Sequence, residues 1–340
     1  MSESCSIIVG GRDKFSPTAA CLEAILSHTP VYHEIIVVLG GAPMHVQRGL
    51  AEGFGKKVRF IFKKEFLNQP QARNIGLREV KTRLVVLMDN DVIVRSHWLE
   101  PLLECQKETG AVMVTPLVLE KENIIHTAGN RLYITHVNGK AFGYKELPLN
   151  DMVLGEKTNL RRQPVDYGEL HCQLVEVEPS LRLGAYDENI REVGECDCGL
   201  TWAQAGLKMF FEPQSVVYFM LHHSIRAEDI RFFAWRWDMR GILKGYEHFE
   251  KKWNLDITEY GHFREFLLHY NKKLGFWSRV FPSSFSLQLD SLISKISQSI
   301  SQLADRVMSP WRRFLAWRIG YYDWPVFNQD FKRNQSSGYR

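Results

Sequence analysis

Asp89-Asn90-Asp91 is the point in the chain where residue types and spacing most clearly could do chemistry. Two carboxylates flank one residue directly after the apolar run Leu84-Val85-Val86-Leu87-Met88. A carboxylate pair leaving a buried strand cannot be fully ionised there without a counter-charge. A divalent cation is the usual solution, and oxygen ligands suit Mg2+ or Mn2+. If the substrate carries a diphosphate, the cation removes a further conflict. Like charges ~4 Å apart repel by roughly 1 kcal/mol in water, and several-fold more in a dry site. The cation would also stabilise a departing diphosphate as its charge grows. A solvated acidic turn can have the same three letters, so this pattern alone leaves both readings open. Other clusters carry less. The six cysteines (Cys5, Cys21, Cys105, Cys172, Cys196 and Cys198) lack paired spacing, and Cys196-x-Cys198 lacks the remaining ligands of a zinc site. His126 reads as a structural hydrogen-bonding residue and Trp202 as core. Arg161-Arg162 reads as a solvated loop or as a contact for a phosphate-bearing acceptor.

The elements that must position this turn follow from hydrophobic periodicity. Residues 6–9, 34–39, 58–62 and 84–88 are short, β-branched-rich and mostly apolar on both faces, as in a parallel sheet covered by helices. Helices are predicted between them over 18–28, 44–53 and 70–80. The last has Asn68 placed to cap it and a proline in its first turn. Ser96 reads as the cap of a further helix through Glu108. This alternation predicts a doubly wound, mainly parallel α/β sheet flanked by helices. Ligands of such sheets bind outside the carboxyl ends of the strands, where Asp89 stands.

From 111 to about 223 the pattern is less regular. It offers a strand over 112–119, glycine-punctuated loops, a helix from near Glu195 to Gly206, and strands over 208–211 and 215–220. After Arg226 the chain becomes helical and aromatic, with Phe232, Phe233, Trp235, Trp237, Tyr246, Phe249 and Trp253. Leu289 to Val307 repeats apolar residues at helical spacing. The block Trp311-Arg312-Arg313-Phe314-Leu315-Ala316-Trp317-Arg318 follows. This C-terminal helical appendage reads as a layer packed on the catalytic unit, or as an interfacial helix whose Trp and Arg suit a lipid headgroup zone. The expected division is 1–225, with halves 1–110 and 111–225, and a helical extension over 226–340.

Composition narrows the class. The 340 residues are 45% apolar and 24% charged, with a formal charge of +4. That charge is uneven, about −3 up to Gly206 and about +7 after it, which fits contact with an anionic surface better than a dedicated nucleic-acid binder. No charged segment leads into an apolar stretch at the N-terminus, and no run of about 18 apolar residues occurs. With unpaired cysteines, the expectation is a cytoplasmic protein, peripheral at the cytoplasmic face of the membrane if the C-terminal helices touch lipid.

Gln71-Ala72-Arg73-Asn74-Ile75-Gly76-Leu77, followed by Val86-Leu87-Met88-Asp89-Asn90-Asp91-Val92, resembles the run "A-R-N-x-G", strand, "D-x-D" of family 2 glycosyltransferases of GT-A fold. Further segments match in the same order. Residues 6–9 and 34–38 resemble the first two strands, Ile125-His126-Thr127-Ala128-Gly129-Asn130 the "hAGG" segment, and Gly184-Ala185-Tyr186-Asp187-Glu188-Asn189 the "G-x-F-D-E-x-F" element. Gly194-Glu195-Cys196-Asp197, with Gly206 behind it, resembles the "E-D-x-D-L…R…G" helix start. The resemblance covers about residues 4–224.

It implies inverting, metal-dependent transfer of a hexose or deoxyhexose from a nucleotide-sugar donor to a hydroxyl of a glycan or lipid-linked acceptor, as in polysaccharide biosynthesis. It further implies that Asp91 binds Mg2+ or Mn2+, that Asp89 contacts the ribose or the metal through water, and that Arg73 lies near the donor. Glu195 would be the general base, with Asp197 the alternative, and His222 or His223 a further metal ligand. Gly10, Gly11, Arg12 and Asp13 stand where the family usually reads "P-T-Y-N" and would face the nucleotide sugar. The second strand ends Leu39-Gly40-Gly41, without the aspartate that usually helps hold the base, so uridine is not implied. Two other classes remain. A nucleotidyltransferase would use Gly10-Gly11-Arg12-Asp13-Lys14 as a partial phosphate loop. A non-catalytic nucleotide-sugar-binding protein would explain the altered loop and acid pair.

Overall fold

The uninterrupted apolar runs form strands because alternate residues feed two different cores. In the computed structural model, which describes residues 5–30, 32–120, 123–137, 140–155, 158–220 and 225–256, these strands are β1 (Ser6–Gly10), β2 (Ile35–Gly40), β3 (Arg59–Lys63) and β4 (Leu84–Asp89). They pair in parallel in the order β3-β2-β1-β4. Ile7, Val9, Val37, Leu39, Val86 and Met88 pack on one face with Cys21, Leu22 and Ile25 of α1 (Thr18–His28). Ile8, Ile36, Val38, Val85 and Leu87 pack on the other with Ala72 and Leu77. Each fully buried aliphatic side chain contributes about 1.5–3 kcal/mol, so both faces resist a register slip that would exchange them.

Between the strands lie α2 (Met44–Phe54) and α3 (Gln69–Leu77). Asn68 caps α3 as expected, and Gln71 completes a capping box. Gln71 N donates to Asn68 Oδ1 at 2.9 Å and Asn68 N donates to the Gln71 side chain at 3.0 Å. The helix ends three residues short of the expected Val80. It lies hard against β1: a Cβ at Gly76 would sit 2.6 Å from Ile8 Cγ2. Asn74 faces the other way and staples the 186–188 segment, donating to Tyr186 O at 2.7 Å and accepting from Tyr186 N at 3.0 Å.

Past the acidic turn come β5 (Val92–Val94), α4 (Glu100–Thr109), β6 (Met113–Leu119), β7 (Ile125–Thr127), β8 (Arg131–Val137), β9 (Lys140–Glu146) and β10 (Gln163–Pro164). They are followed by β11 (Cys172–Glu176), α5 (Val177–Arg182), α6 (Gly194–Gln204) and β12 (Met209–Phe219). The fourth helix starts at Glu100 rather than after Ser96. His97 adopts φ 64°, a left-handed conformation that interrupts a helix, and the Ser96 hydroxyl contacts His28 Nδ1 at 3.2 Å. The two strands expected over 208–220 are one strand with an irregularity between Glu212 and Val216. The sheet continues β4-β11-β6-β12-β10, and β11 is inserted antiparallel between β4 and β6. This insertion brings the residue preceding Cys172 opposite Asp89.

The chain then forms α7 (Ile230–Arg236), α8 (Met239–Trp253) and β13 (Leu255–Asp256). β8, β9 and β13 make a separate three-stranded sheet. Phe232 stacks on Phe15 at 4.7 Å and on Phe66 at 5.5 Å between ring centroids. Asp229, fully buried, accepts from Phe15 N, Ser16 N and Ser16 Oγ, fixing the 13–16 loop. The described residues all belong to one compact unit that ends at Phe276; a second begins at Trp277. No helix among the described residues is long and apolar enough to cross a membrane. His222, His223, the 289–307 repeat and the 311–318 block lie outside the described residues.

Candidate active site

β4 ends on Asp89, and the turn into β5 carries Asn90 and Asp91, all three buried. Asn90 shapes the loop opposite. Its Nδ2 donates to Lys14 O at 2.7 Å and to Thr18 Oγ1 at 2.8 Å, and its Oδ1 accepts from Arg12 N at 3.1 Å. Gly10 O accepts from Asn90 N at 2.9 Å. The middle residue of the turn therefore holds the Gly10-Gly11-Arg12-Asp13 loop beside the two carboxylates.

The carboxylates have unlike surroundings. Gln69 Nε2 donates to both oxygens of Asp89, at 3.0 and 2.8 Å, and Arg73 Nη2 donates to Oδ1 at 2.9 Å. His171 Nδ1 lies 3.4 Å from Oδ2. Burial opposes ionisation of Asp89, but His171, Arg73 and Arg12 outweigh it and hold the carboxyl below its usual range. Both oxygens of Asp91 are buried without a hydrogen-bond partner. Burial pushes this carboxyl up, with Asp89 and Asp13 adding repulsion against the pull of Arg12.

Among the described residues, Arg12 is the cation paired with Asp91, with Nη1 3.5 Å from Asp91 Oδ2 and Nε 4.0 Å from Asp89 Oδ2. Its guanidinium also pairs with Asp13 at 3.2 Å and lies 5.0 Å from the Phe219 ring centroid. Burial works against its charge, yet Asp13, Asp91 and Asp89 outweigh that and raise its pKa. Asp13 also accepts from Trp237 Nε1 at 3.3 Å. Arg73, expected near the donor, braces Asp89 from within the core and donates to Leu170 O.

Asp89, Asp91 and His171 offer ligand atoms that all lie within 4.8 Å of one another. Asp91's unpaired oxygens and the unpaired, buried His171 Nδ1 fit a divalent cation. Burial lowers the His171 pKa to about 4, with the adjacent Asp89 carboxylate opposing, so the imidazole is neutral and has a lone pair at neutral pH. The sequence offered His222 or His223 as a further metal ligand, and both lie outside the described residues. His171 is a candidate the sequence did not offer, because only the antiparallel register of β11, Cys172 against Met88, brings it to Asp89. Its one signal in the sequence is a histidine just ahead of the run Cys172-Gln173-Leu174-Val175.

The other predicted acids lie on α6. Glu195, in its first turn, pairs with Lys145 of β9. Lys145 also lies 3.6 Å from Glu169 and 5.1 Å from the Tyr167 ring centroid. Burial opposes ionisation of Glu195, but Lys145 outweighs it and keeps the carboxyl below its usual range. Glu169 moves the other way, pushed up by burial against the pull of Lys145. Asp197 turns to α8, accepting from Trp253 Nε1 at 2.7 Å and pairing with Lys252 at 2.8 Å. Arg162 pairs with Glu212 and Glu108. At the end of β2, Gly41 has φ 70°, and a Cβ on Gly40 would lie 2.5 Å from Glu65 O. The glycine pair lets the 65–67 segment cross the strand end where the family usually has an aspartate.

A family model described as Glycosyl transferase family 2 matches residues 6–162. The curated Glycosyltransferase GlyG of Streptococcus pneumoniae serotype 4 (strain ATCC BAA-334 / TIGR4) is 26% identical over 156 residues, covering 45% of this chain and 50% of that protein. A crystal structure of GalNAc-T7 with UDP, GalNAc and Mn2+ superposes with a TM-score of 0.52 at 17% identity, over 78% of this chain and 54% of that one. The chain thus spans about half the length of each, and the second likeness is one of fold. The fold is GT-A, and the span over which the chain is similar to glycosyl transferase family 2, residues 6–162, holds the motif-bearing strands and helix.

Proposed function

We propose that the chain transfers a hexose or deoxyhexose from a nucleotide-sugar donor to a hydroxyl of a glycan or lipid-linked acceptor, with inversion at the anomeric carbon. The observation that carries this reading is Asp91, a buried carboxylate with neither oxygen hydrogen-bonded, beside Asp89, His171 and Arg12. Such a group is costly unless a cation meets it. Asp91 and His171 would hold the cation with Asp89 as a third contact, and the imidazole nitrogen favours Mn2+ over Mg2+. When bound, it would supply positive charge for the departing diphosphate.

The chain's own groups do the rest. Arg12 and Lys14 flank the carboxylates and suit the donor phosphates. Gln69 and Arg73 fix the Asp89 rotamer from behind. Glu195, kept ionised by Lys145, takes the proton of the acceptor hydroxyl as its oxygen attacks the anomeric carbon. Asp197 holds α8 rather than the acceptor. A panel of nucleotide sugars, incubated with Mn2+ and with glycoside or polyprenyl-phosphate acceptors, tests the reading by mass analysis of products. One donor should give an acceptor heavier by one sugar residue. A donor that binds yet yields neither transfer nor hydrolysis would make the chain a binding protein.

Arg12 supports that second reading, since its guanidinium already neutralises the carboxylates. Donor affinity that is the same with and without Mn2+ would select it.

A further inference from the structure

Between Glu120 and Asp89, two imidazoles stand in series. Glu120 Oε1 lies 2.7 Å from His126 Nδ1, and His126 Nε2 lies 3.1 Å from His171 Nε2. His171 Nδ1 then lies 3.4 Å from Asp89 Oδ2. The Phe219 ring backs both, its centroid 4.9 Å from that of His126 and 4.2 Å from that of His171. Each hydrogen-bonded pair needs one hydrogen between its atoms. A carboxylate has none to give, so the hydrogen of the first contact sits on His126 Nδ1. A neutral His126 then presents a lone pair at Nε2, which His171 must meet with Nε2–H. That leaves His171 Nδ1 bare, and this atom is buried without a hydrogen-bond partner.

We propose that Glu120 and His126 are positioning residues that lock His171 in its Nε2–H tautomer, so that the Nδ1 lone pair faces the cation position beside Asp89 and Asp91. Metal-ligating histidines commonly donate their second ring N–H to a carboxylate or carbonyl, which fixes the tautomer. Here the carboxylate acts through an intervening imidazole. The inference rests on the reading that His171 and Asp91 hold a divalent cation, and it gives His126 a task in that site. Without Glu120, the pair of rings could reverse both hydrogens. His171 would then carry Nδ1–H toward Asp89 and have no lone pair for a metal.

The test combines a spectrum with a binding measurement on the full chain. In metal-free protein labelled with 15N-histidine, two-bond 1H–15N correlations report which nitrogen of each ring carries hydrogen. His171 should be Nε2–H in the wild type. Glu120→Gln keeps the side-chain size but can also donate to His126 Nδ1, so the Nδ1–H form of His171 should appear. Calorimetric titration with Mn2+ alone should then show affinity lower by about 10- to 100-fold, as for other supports of a ligating histidine. His126→Ala should lose a similar factor. His126→Gln, whose amide oxygen can accept from Nε2–H, should recover part of it, which a purely structural role would not predict. Nδ1–H on His171 in the wild type, or a Glu120→Gln protein with unchanged tautomer and affinity, would overturn the proposal. A wild type that shows Nε2–H yet binds no Mn2+ would overturn the metal reading and, with it, the task given to His126.

Discussion

The two ends of the site are built by different means. At the metal end, Asp89 ends β4, Asp91 immediately precedes β5 and His171 immediately precedes β11, all strands of one sheet, so backbone pairing sets their spacing. At the acceptor end, Glu195 stands at a helix start and is met by Lys145 from a separate three-stranded sheet. Lys252 and Trp253 of a third element tie down the neighbouring Asp197. The metal end is positioned by ladder hydrogen bonds between buried strands, whereas the acceptor end is an assembly of charges whose geometry depends on side-chain pairs. The first should tolerate changes in salt, although its cation binding should weaken as pH falls and the raised Asp91 carboxyl protonates; the second should respond to salt.

Substitutions separate the ends. Glu195→Gln should leave Mn2+ and donor binding intact while transfer falls by about 10²–10⁴-fold, the usual contribution of a general base. Steady-state rates beside donor calorimetry check this, and equal losses in both would move Glu195 to the donor side. Gly76→Ala probes the sheet end through its packing. The new methyl would lie 2.6 Å from Ile8 Cγ2, so unfolding free energy should drop by about 1–3 kcal/mol in denaturant titration.

Lys145→Met should act only at the acceptor end, and more mildly. Lys145 favours the ionised Glu195, so its removal raises that pKa. The base is then protonated to a higher pH, and the acidic limb of the kcat/KM profile moves up. A limb that stays in place would detach Lys145 from the base.

Legibility in the sequence follows the same division. β1, β2 and the apolar run of β4 could be read because burial on both faces makes them apolar. The start of α3 was legible because its Asn68 cap is local. Asp89 and Asp91 stood out as an acidic pair after an apolar run. His171 did not, since its place depends on an antiparallel strand inserted between two segments distant in the chain. Lys145 was hidden because it reaches Glu195 from a separate three-stranded sheet. Arg73 was placed near the donor from motif position alone, and its contacts with Asp89 and Leu170 O turn it inward. The aromatic residues after Arg226 suggested a helical layer. Asp229 and Trp237 reaching back to the 13–16 loop could not be seen before the fold was known.

In the proposed function, Asp91, with neither oxygen hydrogen-bonded, takes a cation that the donor shares. Titration of the wild type and Asp91→Ala with the best nucleotide diphosphate, with and without Mn2+, tests it most directly. Mn2+ should strengthen wild-type binding by tenfold or more, about 1.4 kcal/mol, and Asp91→Ala should lose this gain while keeping its metal-free affinity. Equal strengthening by Mn2+ in both proteins would contradict it.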